Sequence, residues 1–392
     1  MSEAKKVPPL RFKGFDGGWE KKRLGDIGSP YNGLSGKCKS DFGHGNGRYV
    51  TYLNVFDNPV AHPDECDKIE VDKSQNEVCN GDVFFTTSSE TPEEVGMTSV
   101  WDGDGCNTYL NSFCFGYRPR VKIETDFWAY MLRSDSFRER IVILAQGISR
   151  YNISKRKVME LPVFLPGETE QRKLGELCRS LEVLIASRET ALEKLKMLKK
   201  AMLEKMFPRA NAKVPEVRFK GFDGEWRSYE FSEVYERINA KSSQVQSSEY
   251  LQTGDFPVVD QGKDLIIAYS NNKDKVFRAA ESPVIVFGDH TREVKFVDFD
   301  FVIGADGTQL LRSANFDVRF AYYVMKRVTL PNMGYSRHFK FLLETRYSFP
   351  SLPEQRKIGA YFRSLDALIS ARRDEIAKLK DLKKALLDRM FV

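Results

Sequence analysis

Apolar residues recur at heptad spacing along two stretches of the chain and gather in short runs elsewhere. Leu181, Leu184, Arg188, Ala191, Leu195, Leu198 and Met202 fall at a and d spacing, with Ile185, Leu192 and Met206 widening the stripe. Leu365, Leu368, Arg372, Glu375, Leu379, Leu382 and Leu386 repeat it, backed by Ile369, Ile376 and Met390. Neither 176–207 nor 360–392 contains Gly or Pro. Each stretch is therefore predicted to be one helix of about 35 residues, roughly 50 Å long at ~1.5 Å per residue. A stripe so narrow on so long a helix needs a partner helix. Two like stripes in one chain predict an intramolecular coiled coil. Arg188 and Arg372 hold the same seam position, where a dry ion is costly, so they are expected to snorkel or to pair with a carboxylate such as Glu375.

The duplication reaches the letters themselves. Setting Glu170-Gln171-Arg172-Lys173 against Glu354-Gln355-Arg356-Lys357 fixes an offset of 184, and from Gln171/Gln355 to Phe207/Phe391, 20 of 37 pairs are identical. A second box, VPPLRFKGFDGGW from Val7 and VPEVRFKGFDGEW from Val214, matches at 10 of 13 positions with an offset of 207. The order is box, variable region, helix, twice over, and the offsets differ by 207 − 184 = 23 residues, the excess length of the first variable region. Such self-similarity decides the architecture before any local reading. It gives an α+β chain with a pseudo-twofold repeat: two similar, mostly-β domains at 1–165 and 208–350, and two long helices at 166–207 and 351–392.

Within the first variable region, strand-like runs at 49–55, 82–87 and 113–117 lie among turns rich in Gly and Asn such as 41–47, and a helix is expected over 126–145. The second has strand-like runs at 257–259, 282–288, 295–297 and 301–303, then a helix over 317–328. Two echoes link the regions. An apolar strand runs into a polar loop at both 82–89 and 283–290, and Gly147-Ile148-Ser149-Arg150-Tyr151 resembles Gly334-Tyr335-Ser336-Arg337-His338.

Composition narrows the classes. Of the 392 residues, 41% are hydrophobic and 12% aromatic, as in a folded protein, and no run of 18 apolar residues offers a membrane span. The first nine residues hold no apolar export core, and the six cysteines show no metal spacing. A reducing cytoplasm is the expected compartment, with no metal held by this chain. Net charge is +6, but 28–160 carries 15 Lys and Arg against 19 Asp and Glu, and 236–346 carries 15 against 14. Domains of net −4 and +1 are no general nucleic-acid glue, so any grip on phosphates must be local or shared with partners.

Catalytic motifs fall short. Asn58-Pro59-Val60 lacks the second Pro and the aromatic of an adenine methyltransferase turn, and Gly33–Cys38 has the wrong interval for a phosphate loop. Asp289 with Glu293 and Lys295 is too closely spaced for a nuclease, and Asp289 is expected to shape a turn. Recognition chemistry remains. Arg150, Tyr151, Asn152, Lys155 and Arg156 concentrate cations beside an aromatic and an amide; Arg can grip guanine, Asn adenine, and Lys or Tyr a phosphate. Their counterparts are Arg337, His338 and Lys340, a further candidate is His290-Thr291-Arg292, and Thr86, Thr87 and Ser88 are weaker hydroxyl candidates.

Two divergent regions alternating with two Glu-Gln-Arg-Lys boxes, each preceded by a proline (Pro166–Arg172 and Pro353–Arg356) and each opening a long helix, resemble the specificity subunit of a type I restriction-modification enzyme. That resemblance covers nearly the whole chain. It implies two target recognition domains, each reading half of a split DNA sequence in the major groove. It also implies that the two helices pair as an antiparallel coiled coil, a spacer that docks two modification (methyltransferase) subunits, with two restriction (motor and endonuclease) subunits completing the complex. S-adenosylmethionine, ATP and Mg would then belong to the partners, and this chain would not be catalytic. The alternative is a self-contained DNA-modifying or DNA-cleaving enzyme, which would need an active site that these motifs do not provide.

Overall fold

The computed structural model describes residues 6–209, 212–304, 307–313, 315–331 and 336–392. The chain divides into two compact units, Met1–Glu189 with Asp374–Val392 and Thr190–Arg373. The long helices are Glu168–Lys205 and Leu352–Met390, so each contributes one half to each unit. Both start earlier than the Gly- and Pro-free stretches suggested and run through a glycine. The glycines are there for close packing: a Cβ on Gly175 would lie 2.7 Å from Phe127 N, and one on Gly359 2.9 Å from Asp317 Oδ1, where a shorter helix of the same unit abuts.

Within both units the two long helices pair antiparallel. In the first, Arg188 meets Glu375 at 2.9 Å and Lys383 meets Glu182 at 2.6 Å; in the second, Lys199 reaches Asp366. The Lys199 and Lys383 pairs are one interaction repeated at the 184 offset. The expected carboxylate partner of Arg188 is therefore present. The seam itself needs a correction. Leu181, Arg188, Leu195, Met202, Leu365, Arg372, Leu379 and Leu386 keep their places, half-buried or better, but the alternate rows are Ile185, Leu192, Ile369 and Ile376, all buried. Leu184 (37%), Leu198 (41%), Leu368 (45%) and Leu382 (47%) are exposed. Two a/d registers share the same heptad-spaced set, and burial selects the one that interleaves 4 and 3 from Leu174 through Met206.

The repeated boxes lash each helix to its domain. Arg11 Nε and Nη2 donate to Glu170 at 2.6 and 2.7 Å; Arg218 does the same to Glu354 at 2.7 and 2.7 Å. Both carboxylates are buried (2% and 0% exposed), and each pairing raises the guanidinium's hold on its proton. Gln171 Nε2 donates to Pro166 O at 2.9 Å while its Oε1 accepts from Glu124 N; Gln355 repeats both bonds with Pro350 O at 2.8 Å and Asp317 N. Helix ends close the cores, Phe391 against Trp19 in the first unit and Phe207 against Trp226 in the second.

Strand Glu20–Arg23 pairs with Pro162–Leu165, and Arg227–Tyr229 with Tyr347–Phe349, so each domain returns beside its own entry. The first domain has a five-stranded sheet in the order Gly28–Asn32, Cys114–Pro119, Val83–Thr86, Thr98–Trp101, Val60–Ala61, and a three-stranded sheet of Cys66–Ile69, Phe42–Val50 and Thr108–Leu110. The second orders Glu236–Ile238, Thr308–Arg312, Val284–Gly288 and Val294–Val297 in the same sense, with a three-stranded sheet of Ala268–Ser270, Phe256–Val259 and Val302–Ile303. Three local expectations fail. Residues 52–57 form a helix, because Thr51 caps it by accepting from Asn54 N. The glycine-rich run at 41–47 mostly belongs to a bulged strand, with Gly43 and Gly45 at φ +87 and +90. The helix over 126–145 is two, Thr125–Met131 and Asp135–Val142, broken where Ser134 Oγ turns back onto Met131 O.

All six cysteines are free. Among the described residues no group of His, Cys, Asp and Glu is placed to hold a metal ion, and no helix is long and apolar enough to cross a membrane.

Candidate nucleic-acid interface

In the first unit the central strand Val83–Thr86 delivers Thr87 and Ser88 to its end, and the sheet brings the cationic run to the same place. Tyr151-Asn152 pairs with Ser88-Ser89, and Ile153 N donates to Thr87 O at 3.1 Å. Gln146 and Asn152 exchange backbone bonds of 2.9 Å in both directions, so 147–151 is a closed hairpin tip. Gly147 is required there, since a Cβ would sit 1.9 Å from Arg150 O. The tip presents Arg150 and Ile148, the latter 95% exposed. Beside it, Phe113 is exposed and its carbonyl takes both Thr87 N and Thr87 Oγ1. Tyr52 OH donates to Ser88 O at 3.0 Å, and burial with nearby charges holds this phenol above its ordinary pKa. Lys155 bonds Asn32 Oδ1, which ties the short helix Lys155–Met159, with exposed Arg156, to the first strand of the sheet.

Thr86 does not belong to this surface. It is fully buried, and its hydroxyl accepts from Met97 N at 2.9 Å, closing the strand pair.

In the second unit the two candidate segments also converge, and Asp289 joins them. Its carbonyl takes His338 N at 2.8 Å and its Oδ1 takes Phe339 N at 2.8 Å, so it shapes a turn and caps the helix Phe339–Leu343. His338 is corrected with it: the imidazole is fully buried, with Nδ1 at 3.0 Å from Asp289 O, and cannot meet a ligand. Thr291 donates its hydroxyl to Gln261 O, and His290 N donates to Gln261 Oε1 at 3.1 Å. Arg292 sits at φ +65 with its N bonded to Gly288 O, an unusual conformation for a side-chain-bearing residue and one that aims it outward. Arg337 and Lys340 are exposed. Gly334 and Tyr335 lie outside the described residues. The sequence echo is out of register with the helices that follow: Arg150 precedes Lys155 by five residues, and Arg337 precedes Phe339 by two.

Arg337 and His290 line a cleft of about 550 Å³ together with Arg237, Asn239, Lys241 and Gln309. Those last four escaped the sequence reading: Arg237 and Gln309 because strands of three and five residues carry too few positions to show alternation, Asn239 and Lys241 because they lie beyond the strand, where there is no alternation to show. Ile148 and Phe113 were missed because an apolar residue in a loop has no periodicity to mark it.

No protein-family model matches the chain. Over 112 residues, 28% of this chain, it is 30% identical to the specificity subunit of the EcoR124I/EcoR124II type I restriction enzyme of Escherichia coli, and the match spans 27% of that relative. A chain of Methanocaldococcus jannaschii, assigned as the MjaX type I restriction enzyme specificity subunit, is 23% identical over 94% of this chain and 92% of its own. Among solved structures, the S subunit of a type I restriction-modification system from M. genitalium aligns over 99% of both chains with a TM-score of 0.64 and 17% identity. A chain from a study of complex assembly in a type I system aligns over 99% of both with a TM-score of 0.56 and 21% identity. Along nearly its whole length, in sequence and in fold, the chain is similar to the specificity subunits of type I restriction-modification systems.

Proposed function

We propose that this chain is the sequence-reading subunit of a type I restriction-modification complex, each unit reading one half of a bipartite DNA target. The observation that carries the reading is the duplication. Contacts that lash box, domain and helix together recur at the offsets of 184 and 207, whereas the polar surfaces at the ends of the central strands differ: a hairpin tip in one unit, a cleft in the other. A conserved mount with two unlike tips is what two unlike half-sites require. S-adenosylmethionine, ATP and Mg would be brought by modification and restriction subunits, here proposed as two of each. The test expresses the chain with its modification subunit and sequences the methylated sites. Arg150→Ala is expected to relax one half-site and Arg337→Ala the other, each by at least about tenfold in discrimination. Unchanged methylation patterns in both variants would refute the assignment.

The helices support a docking role. Leu184 and Leu382 in the first unit, and Leu198 and Leu368 in the second, each sit one residue before a seam position and are exposed. The carboxylates Glu182, Glu189 and Asp366 each follow one, so charge lies on one flank and leucine on the other. The two leucine pairs are related by the 184 offset, which suits two copies of one partner, the modification subunit. Native mass spectrometry of the complex with Leu184→Glu and Leu382→Glu combined should show one modification subunit lost and one kept. Retention of both would sink this docking face.

A further inference from the structure

We infer that the cleft of the second unit is its base-reading surface, with Asn239 and Gln309 facing base edges and Lys241 a backbone phosphate. The inference rests on the DNA-reading role proposed above and gives that role an address in the second unit.

The lining is more polar than apolar, and Arg237, Lys241 and Arg337 bring three cations to it. A pocket for a small apolar ligand would have the opposite balance. Among the described residues of the lining the carboxylate is Asp289, which is 4% exposed and accepts Phe339 N of the same unit through Oδ1. Among the described residues, three exposed cations against one buried carboxylate leave the mouth cationic, as a polyanion requires.

Arg237 and Gln309 stand on strands, and Asn239 and Lys241 follow directly after the first of them. Arg237 is the middle residue of Glu236–Ile238, paired opposite Leu311, and its guanidinium lies over the Phe339 ring at 5.3 Å, which fixes its direction. Gln309 belongs to Thr308–Arg312 and is paired opposite Phe287 on the central strand. Asn239 follows the first strand, and its Oδ1 accepts from Lys241 N at 3.5 Å. Carboxamides match the paired donor and acceptor of adenine, and guanidinium matches guanine, while lysine acts as a point charge.

The test uses the full chain assembled with its modification subunits and a library of duplexes, with methylation and binding both measured. Asn239→Ala and Gln309→Ala are each expected to cost about tenfold or more in discrimination at one position of one half-site, leaving the other half-site as in the wild type. Lys241→Ala should weaken all duplexes alike and lower the slope of log affinity against log salt by about 1. Gln309→Glu, which keeps the side chain's size and reverses its recognition, covers the case in which the alanine variant folds poorly; it should shift the preferred base. If the amide variants keep the wild-type preference at every position, the inference fails. A wild-type complex without any sequence preference would instead bring down the underlying DNA-reading role.

Discussion

Replacing Glu354 by Ala is expected to lower the melting transition of the second unit by about 10 °C and to leave that of the first unit in place. Glu354 is fully buried and takes two hydrogen bonds of 2.7 Å from Arg218, whose side chain is only 14% exposed. Removing one member of a buried pair strands the other charge, which costs about 3–5 kcal/mol. In a unit of this size each kcal/mol moves the transition by roughly 2–4 °C. The guanidinium cannot escape by losing its proton. It also holds Gly224 O at 2.7 Å, so the turn of the box is disturbed too. Glu170→Ala should produce the mirror effect in the first unit through Arg11. Replacing both partners, Arg218→Met with Glu354→Leu, should recover most of the loss, because no unpaired charge then remains. Scanning calorimetry reads all three variants. Equal shifts of both transitions, or none above about 2 °C, would show that these pairs do not anchor the boxes.

The same pairs show what the sequence could tell. Arg11 and Glu170 stand 159 residues apart, yet both fall inside repeated boxes, so their importance was legible while their partnership was not. Duplication marks residues but does not say which touches which. The helices were legible in existence and partner, since a long stripe without Gly or Pro has few readings. Their seam was not, because Leu184 and Ile185 are equally apolar and only burial separates them. At the candidate interface, exposed cations such as Arg150, Arg337 and Arg292 were found by composition. His338 and Thr86 were misplaced for the opposite reason: polar residues beside a cationic run share its composition, and only the fold shows that their polar atoms are turned onto the backbone. Arg237 was missed because a three-residue strand gives periodicity nothing to work on.

Inserting one heptad into both long helices at once, after Glu189 and after Arg373, is expected to lengthen the unread segment of the target by about three base pairs while both half-site sequences stay the same. Seven residues add about 10.5 Å of helix, and duplex DNA advances 34–36 Å in 10–10.5 base pairs. A whole heptad preserves the seam, so Ile185, Leu192, Ile369 and Ile376 keep their neighbours within each unit. The ion pairs explain why both helices must change together. Glu182 and Lys199 are 17 residues apart on the first helix, and so are their partners Lys383 and Asp366 on the second. A heptad in one helix alone makes these intervals 24 and 17, and the two pairs can no longer form on straight, paired helices. The single insertion should therefore cost folding or assembly, whereas the double insertion should yield an active complex with a new target. Sequencing the methylated sites of both variants separates the outcomes. An unchanged spacing in an active double variant would mean that something other than these helices sets the distance between the half-sites.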